Sequence, residues 1–528
     1  MKTMETKRKA KIKFLLHAED GSIPFLTPYL LKKYFSPDNG LIANHLMVGV
    51  AVKDTCVIPV YNKKKRKSKE EKQEVSSKRR RVEDENVEKG NNTNNHARNT
   101  IINGQEQEEN HQELTLFTNK NGNNSFKAKP NSGMKPNGYV FDWPNHKESL
   151  GIDGFNLLVV PTFDLLDDLD KHNQKEKINE QNQKDKMKKK EKNNETSQKE
   201  KHKKNSKKSA NDSSTKATIE VNSSINEVTL CTPHGMQKLS AENYGSILHK
   251  LQCPSMIGLY DQVQALDSKR RKTKCIQRTS YWLEKSLAKQ KSLNAIEKEG
   301  GIQRNMWIPL VCDAINYDDA SQTMEDWTNA YTENTIGAEF SGVALVGWHR
   351  ISSRDVQNTL LEKCKQFLQS SSSKEMSGAV ISTKSLRQIL DIARYGIEII
   401  GSALPAEWAR STRALALNLS ATNSSITPNI TDQLDGNGCI DISNQDLYRN
   451  DKKVLLTGCK CPACENGKYS RSYIHHLIKA KELLGETILF GHNLYQMLLL
   501  CEQLSSTYND ASIEQYCKLI EHQIMQRI

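Results

Sequence analysis

From residue 255 onward, short apolar runs of strand length alternate with longer segments that carry apolar residues at helical spacing. This alternation predicts repeated βα units, and the strands of such units form a mostly parallel sheet. The sheet is either doubly wound or closed into a (β/α)8 barrel. The predicted strands are 255–260, 306–311, 342–348, 378–381 and 397–400.

The segments between these runs carry helix signals. A helix is predicted through 279–287, and another where Val356, Leu360, Leu361, Cys364, Phe367 and Leu368 form one apolar stripe. A third helix follows the fourth strand, with Ser382 or Thr383 as the candidate N-cap and Gly396 just past its end. Its apolar face consists of Leu386, Ile389, Leu390 and Ala393.

Charge is unevenly distributed along the 528 residues, whose formal net charge is +13. Residues 62–130 hold 16 basic and 11 acidic residues, and residues 171–216 hold 16 basic and 7 acidic residues. Both segments are too polar to bury enough apolar surface to offset the entropy of ordering them. We therefore expect two long disordered insertions. Their basic runs at 63–69 and 78–81 indicate a nuclear-import tag, a polyphosphate-binding arm or a solvated linker.

The body without these insertions has 413 residues, with 44 basic and 45 acidic residues. This size suits a (β/α)8 barrel with an added subdomain, and no glycine-rich nucleotide-binding loop argues for a dinucleotide fold. The predicted organisation is an N-terminal part of the barrel at 1–61, an insertion at 62–130, a barrel segment at 131–170, an insertion at 171–216, the main barrel body at 217–450 and a zinc subdomain with C-terminal helices at 451–528.

Targeting signals are not evident in the sequence. The only apolar run after the basic start is 14–16, which is too short for a signal peptide, and no stretch approaches 18 apolar residues. We therefore expect no transmembrane segment. Without a secretory signal, the twelve cysteines are expected to be reduced thiols.

Three of the cysteines form a close cluster. Cys459, Cys461 and Cys464 make a Cys-x-Cys-x-x-Cys motif, which lets a tight turn aim three thiolates at one ion. A histidine as fourth ligand would complete the set typical of structural zinc, and soft sulfur ligands favour zinc over magnesium or calcium. A closed site of this kind leaves no position for a reacting water, so we expect one structural zinc ion per chain. The candidate fourth ligands, among which spacing alone does not choose, are His475, His476 and His492.

The cluster is followed by Ser-Arg-Ser-Tyr-Ile-His-His-Leu-Ile-Lys-Ala-Lys-Glu-Leu-Leu-Gly at 470–485 and Gly-His-Asn-Leu at 491–494. This block closely resembles the zinc-binding end of the tRNA-guanine transglycosylases, the queuine tRNA-ribosyltransferase family. In that family the histidine of the His-Asn pair is the fourth ligand, which selects His492. The resemblance implies a (β/α)8 barrel with a zinc subdomain near its C-terminus. It also implies base exchange at the tRNA wobble position, where guanine is replaced by queuine in eukaryotes.

Base exchange at C1′ of a ribose needs a carboxylate nucleophile and a second acid/base group. The family places its nucleophilic Asp in a segment resembling Gly-Val-Asp-Met-Phe-Asp-Cys. The matching segment here is Gly-Ile-Glu-Ile-Ile-Gly-Ser at 396–402, which puts Glu398 on the first acid and Gly401 on the nucleophile. Glycine has no side chain that could attack, so no catalytic residue is assigned.

Other motifs point to the accessory, non-catalytic branch of the family. The Ser-Gly-Gly-Phe-Gln block of the catalytic enzymes is missing, and its nearest match, at 151–156, offers only Asp153 as an acid. Asp261 matches the acid that reads the heterocycle in the family, so it is either a base-binding remnant or a capping or ion-paired acid at a strand end. The segment at 19–28 resembles the Gly-Ser-x-Pro-x-Leu-Thr motif of the accessory subunit.

The resemblance thus implies a non-catalytic subunit that supports queuine insertion into tRNAs with GUN anticodons. Its expected partners are the catalytic subunit, in a heterodimer, and tRNA. Its expected location is the cytoplasm, partly at the mitochondrial outer membrane. Two alternatives are a self-sufficient transglycosylase that uses Glu398 or Asp153, and a nuclear zinc-binding regulator of nucleic acids.

Overall fold

The computed structural model describes 12–17, 25, 35, 45–51, 156–161, 226–232, 235–251, 253–295, 305–317, 322–335, 339–370, 376–419, 433–507 and 510–525. All of these residues belong to one compact unit.

Eight parallel strands close into a barrel in which neighbours along the chain are neighbours in the sheet. The last barrel strand pairs with the first, since Leu15 lies opposite Gly401. The closed parallel barrel confirms the predicted fold class. Its strands are β1 (Lys13–His17), β2 (Leu46–Ala51), β3 (Asn156–Val160), β6 (Ser255–Ile257), β7 (Asn305–Val311), β8 (Phe340–Val346), β9 (Ser377–Val380) and β10 (Ile399–Ser402).

Two antiparallel hairpins lie outside the barrel sheet. The first pairs β4 (Glu227–Thr232) with β5 (Gly235–Ser240), and the second pairs β11 (Arg413–Leu415) with β12 (Cys439–Asp441).

Helices alternate with the later barrel strands, as the sequence pattern predicts. Each of β6 to β10 is followed by a helix, so the start of each helix lies toward the carboxyl ends of the strands. The described helices are α1 (Ala241–Leu251), α2 (Lys269–Asn294), α3 (Met324–Thr332), α4 (Arg354–Ser370), α5 (Leu386–Arg394), α6 (Leu404–Arg410), α7 (Gln445–Tyr448), α8 (Arg471–Lys479), α9 (Leu483–Ser506) and α10 (Asp510–Met525).

The barrel strands are buried on both faces, because side chains point either into the barrel or toward the surrounding helices. In β8, every residue from Val343 to Val346 is fully buried. Each buried aliphatic side chain stabilises the fold by about 1.5–3 kcal/mol relative to an exposed one. This explains why the strands are continuous apolar runs rather than alternating ones.

The structure corrects the predicted start of α5. Its N-cap is Ser385, whose hydroxyl accepts a hydrogen bond from the backbone N of Gln388, and not Ser382 or Thr383. Thr383 is buried, and its hydroxyl donates to the carbonyl oxygen of Gly401 at 3.0 Å. Its polar group therefore serves the contact between two strand ends rather than the helix.

Some predictions lie outside the described residues, namely the two insertions at 62–130 and 171–216, Asp153, and the segment at 19–28 apart from Phe25. The proposed domain boundaries stay predictions. No helix in the described part of the chain is long and apolar enough to cross a membrane.

Candidate metal centre and the carboxyl end of the barrel

The three clustered cysteines lie close to the β11–β12 hairpin, α8 and α9. The cysteines lie in the loop before α8, and His492 lies in α9. Arg471, at the start of α8, holds the loop in place: its guanidinium donates to the carbonyl oxygens of Val454 at 3.0 Å and Leu455 at 2.8 Å. The loop is thus fixed by backbone contacts that do not depend on the cysteines.

Cys459, Cys461, Cys464 and His492 converge on one point. Nδ1 of His492 lies 3.8, 3.3 and 3.5 Å from the three respective sulfurs, and all four ligand atoms lie within 4.8 Å of one another. Zinc bonds of about 2.3 Å to sulfur and 2.0–2.1 Å to nitrogen place tetrahedral ligands roughly 3.5–3.8 Å apart. The four residues therefore fit a tetrahedral metal ion.

The cysteine turn supplies backbone donors to its own sulfurs. The backbone N of Cys461 donates to Sγ of Cys459, and that of Cys464 donates to Sγ of Cys461, both at 3.3 Å. Gly458 opens the turn with a φ of +82°, a conformation that side chains disfavour. These N–H···S bonds stabilise thiolates, which are the form that binds metal.

The charges of the cluster conflict without a cation. Hydrogen bonds with Cys459 and Cys461 lower the pKa of Cys464, whereas hydrogen bonds with Cys459 and Cys464 raise the pKa of Cys461. Burial disfavours a charged His492, but its contacts with the cysteines raise its pKa to about 10. A divalent ion would compensate the charge of all three thiolates.

A second layer of residues orients the ligands. Nε2 of His492 donates to the carbonyl oxygen of Leu415 at 2.8 Å, which leaves Nδ1 directed at the sulfurs. The side-chain amide of Asn493 binds both ends of β11. Its oxygen accepts a hydrogen bond from the backbone N of Leu415, and its nitrogen donates to the carbonyl oxygen of Arg413, both at 2.9 Å. Buried Gln496 donates to Sγ of Cys459 at 3.0 Å. The sequence analysis missed Gln496, although its position four residues after His492 puts it on the same helix face.

The other two candidate histidines lie elsewhere. Nδ1 of His475 donates to the carbonyl oxygen of Ile442 at 2.8 Å, so this buried ring joins α8 to the end of β12. His476 is exposed. The structure therefore brings only His492, of the three, to the cysteine cluster.

Asp261 lies at the carboxyl end of the barrel, four residues beyond β6, and is 1% exposed. Arg271 of α2 donates to both of its carboxylate oxygens, at 2.7 and 2.9 Å, and Arg278 donates to one of them at 3.2 Å. The backbone N of Gln262 also donates to it at 2.9 Å. The geometry gives Asp261 an ion-pairing role that anchors α2 to the barrel; a base-binding role stays a prediction.

Gly401 lies within β10, toward its carboxyl end. A Cβ on Gly401 would overlap the backbone carbonyl of Ile381, with the carbonyl carbon 2.6 Å away. Nε2 of His17 donates to the same carbonyl oxygen at 2.8 Å. The ends of β1, β9 and β10 are therefore tightly packed around Gly401.

Glu398 immediately precedes β10 and therefore lies at the amino end of this strand, whereas Gly401 lies toward its carboxyl end. Its carboxylate accepts a hydrogen bond from Ser377 Oγ at 2.7 Å, and Ser377 begins β9. Barrel enzymes carry their catalytic groups at the carboxyl ends of the strands. Glu398 thus has a structural partner at the end of the barrel that active sites do not use.

The comparison with known families agrees with this architecture. The sequence model of queuine tRNA-ribosyltransferase matches residues 173–525, about two thirds of the chain. The chain belongs to the queuine tRNA-ribosyltransferase family.

Within this family, the chain resembles accessory subunits. It is 24% identical over 306 residues to the queuine tRNA-ribosyltransferase accessory subunit 2 of Drosophila virilis, covering 57% of this chain and 66% of that protein. The accessory subunit 2 of Drosophila grimshawi is 25% identical over 306 residues, covering 57% and 65%. The chain thus spans just under two thirds of the length of these relatives. A queuine tRNA-ribosyltransferase of Lachnoclostridium phytofermentans is 41% identical over 71 residues, covering 13% and 18%.

Proposed function

We propose that the chain is the non-catalytic subunit of a queuine tRNA-ribosyltransferase. It supports the exchange of guanine for queuine at the wobble position of tRNAs with GUN anticodons, and a catalytic subunit supplies the nucleophile. The observation that carries the proposal concerns Gly401, which family resemblance matches to the nucleophile: the closed barrel leaves no room there for a side chain. The names of the Drosophila relatives support the same role.

We assign zinc to the cluster of Cys459, Cys461, Cys464 and His492. Three sulfurs and one imidazole are the donor set that zinc prefers, and their spacing fits tetrahedral bonds. The ion would be structural, because four protein ligands leave no open position for a substrate. Its contribution is to hold the cysteine loop against α9.

The partner is proposed to bind the zinc subdomain. Large apolar side chains are exposed on three successive helices in this subdomain or just before it: Leu447 on α7 (45% exposed), Tyr473 on α8 (42%), and Leu483 and Leu484 on α9 (50% and 43%). The Tyr473 ring stacks on Tyr469 at 5.8 Å between centroids. Exposed apolar and aromatic side chains of this kind are typical of protein interfaces.

Reconstitution tests the proposal. The purified chain, the catalytic subunit and their mixture are each assayed for incorporation of labelled queuine or guanine into tRNA. We expect exchange only from the mixture. Exchange by the chain alone would instead support a self-sufficient transglycosylase. A mixture that forms no complex and shows no gain over the catalytic subunit would contradict the proposal.

A surface variant tests the docking site. The double substitution Leu483→Ser and Leu484→Ser should abolish co-elution with the catalytic subunit while leaving the thermal transition of the chain nearly unchanged, because both side chains are exposed. Leu519→Ser, on α10, is the matched control, since Leu519 is also exposed (39%). Co-elution that survives the double substitution, or is lost equally in the control, would exclude this surface.

The proposed location is the cytoplasm, partly at the mitochondrial outer membrane, and family resemblance alone supports it. Fractionation of cells that express the tagged full chain, with immunodetection in each fraction, tests the assignment.

A further inference from the structure

Helix α2 carries a concentration of positive charge that the overall composition hides. Its 26 residues include nine basic residues and one acidic residue, Glu284, for a net charge of +8. The body of the chain is again taken without residues 62–130 and 171–216. Apart from α2, it has 387 residues, of which 35 are basic and 44 are acidic. The near-neutral body is therefore an acidic body with one strongly basic helix.

The basic residues in the first half of α2 divide into an inward pair and an outward group. Arg271 and Arg278 turn toward the barrel and bind Asp261. Lys269, Arg270 and Lys274 are exposed, and Lys272 is half-buried. Among the residues that the structure describes, none of these four cations makes an ion pair. Anchoring through Asp261 thus leaves their charge directed at solvent.

The arrangement is unfavourable for the isolated chain. The first turn of α2 contains no acidic residue and several cations, although the positive end of a helix dipole disfavours cations there. Neighbouring like charges on one helix also repel each other. A bound polyanion would relieve both effects.

The position of the outward group fits a substrate surface. Because α2 follows β6, its first turn lies toward the carboxyl ends of the barrel strands. Barrel enzymes bind their substrates at this end of the barrel. Gly401 lies toward the same end of its strand. The cations are therefore placed at the rim of that end of the barrel.

We propose that Lys269, Arg270, Lys272 and Lys274 of α2 form a binding surface for the phosphate backbone of RNA. The inference rests on the proposed function, which makes tRNA the polyanion that this complex handles. Cations that contact phosphates position a nucleic acid without reading its sequence. This surface thus gives the non-catalytic subunit a direct part in holding the tRNA.

Salt dependence of tRNA binding is the test. The full-length chain in complex with its catalytic subunit is titrated with tRNA by fluorescence anisotropy at several salt concentrations. Changing Lys269, Arg270 and Lys274 together to Gln should reduce the slope of log K against log salt by about 2 to 3, since each phosphate contact contributes about 0.7 to 0.9. The matched control removes three exposed cations outside this group, with Lys291→Gln at the far end of α2, Arg387→Gln and Lys518→Gln.

The control should keep the wild-type slope. An unchanged slope in the α2 variant, or an equal reduction in both variants, overturns the inference while wild-type binding leaves the proposed function intact. A wild-type complex that binds no tRNA overturns both. Loss of the catalytic subunit from the α2 variant, with tRNA affinity retained, would identify a protein-binding surface instead.

Chemical protection provides a readout that needs no substitution. The wild-type complex is treated with a lysine-acylating reagent, with and without tRNA, and modification is read by mass spectrometry. We expect tRNA to reduce the modification of Lys269, Lys272 and Lys274 severalfold and to leave Lys291, at the far end of the same helix, unchanged. Equal modification of the three lysines in both samples contradicts the inference.

Discussion

Gly401 and the carbonyl group of Ile381 are so close that no side chain fits on Gly401. An added Cβ would lie 2.6 Å from the carbonyl carbon and nearer still to its oxygen. Thr383 donates to the carbonyl oxygen of Gly401 and His17 donates to that of Ile381, so both backbone groups are held in place. The backbone at Ile381 therefore occupies the space that any side chain at position 401 would need.

Restoring the acid at Gly401 should not restore catalysis. We expect Gly401→Ala to lower the free energy of unfolding by roughly 1–3 kcal/mol through overpacking, and Gly401→Asp to lower it further because it also buries a charge. Neither variant should exchange bases alone. Urea denaturation and the exchange assay measure the two effects. Gly436→Ala is the control, since Gly436 has open space around it and should change stability by less than about 0.5 kcal/mol. A Gly401→Asp chain that is as stable as the wild type and active by itself would contradict this account.

Sequence periodicity predicts the later barrel strands well, because strands buried on both faces are continuous apolar runs. Each of the five predicted runs overlaps a strand, with ends displaced by up to three residues. The start of α5 is harder to predict, because Ser382 and Thr383 carry the same kind of hydroxyl group as Ser385, the observed N-cap. The hydroxyl of Thr383 instead contacts Gly401, which is distant in sequence, and no local pattern reveals this contact.

Loss of one metal ligand should prevent the zinc subdomain from binding the catalytic subunit. Cys461→Ser removes a fully buried sulfur from the cluster. Structural zinc contributes about 10–16 kcal/mol in small peptides, which exceeds the net stability of most domains. We expect bound metal to fall from one ion per chain to none, as measured by elemental mass spectrometry, and co-elution with the catalytic subunit to be lost.

Cys501→Ser is the matched control, because Cys501 is equally buried in α9 but lies outside the cluster. It should cost about 1–3 kcal/mol for the buried hydroxyl and retain both metal and partner. Treatment of the wild type with a strong chelator should reproduce the Cys461→Ser result. A chelated chain that still co-elutes at full stoichiometry would show that the metal is not needed for the interface.

The ligands of the metal centre can be predicted from sequence because three of them are close neighbours in the chain. The fourth is not: His475, His476 and His492 are equivalent by spacing, and family resemblance is what selects His492. The supporting contacts are still harder to predict. Arg471 binds carbonyl groups in the preceding loop, and Gln496 binds a sulfur 37 residues away, so neither has a local signature.

Removing the carboxylate of Asp261 should destabilise the barrel. Asp261→Asn leaves Arg271 and Arg278 without their buried partner. Breaking a fully buried ion pair costs about 3–5 kcal/mol, and the cost here should be lower, about 1–3 kcal/mol, because the two arginine side chains are 27% and 24% exposed. The midpoint of urea denaturation measures the loss. Asp446→Asn, on exposed α7, should change stability by less than about 0.5 kcal/mol. At urea concentrations below the unfolding midpoint, base exchange supported by the Asp261→Asn chain should fall only in proportion to the fraction of chains that remain folded. A stable Asp261→Asn chain that supports no exchange would indicate that Asp261 contacts a base.

The ion pair between Arg394 and Glu521 should make stability depend on acid pH. Arg394 donates to both carboxylate oxygens of Glu521, at 3.1 and 2.8 Å, and so joins α5 to α10. Burial alone would raise the pKa of Glu521, but Arg394 outweighs this and lowers the pKa below its ordinary value of 4.5. Because the folded-state pKa is the lower one, the contribution is complete above the unfolded-state pKa and is lost as the pH falls through the folded-state pKa.

Glu521→Gln should therefore lower the free energy of unfolding by about 1–2 kcal/mol at pH 7, and the difference from the wild type should shrink below about pH 4.5. Glu514→Gln removes another partner of Arg394, and its effect should be smaller because the Glu514 side chain is 41% exposed, against 18% for Glu521. Urea denaturation from pH 7 to 3 measures both. Protonation of Glu521 removes the ion pair that the variant already lacks, so the two free energies of unfolding should converge as the pH falls. A difference that grows instead would contradict the assigned direction of the pKa shift.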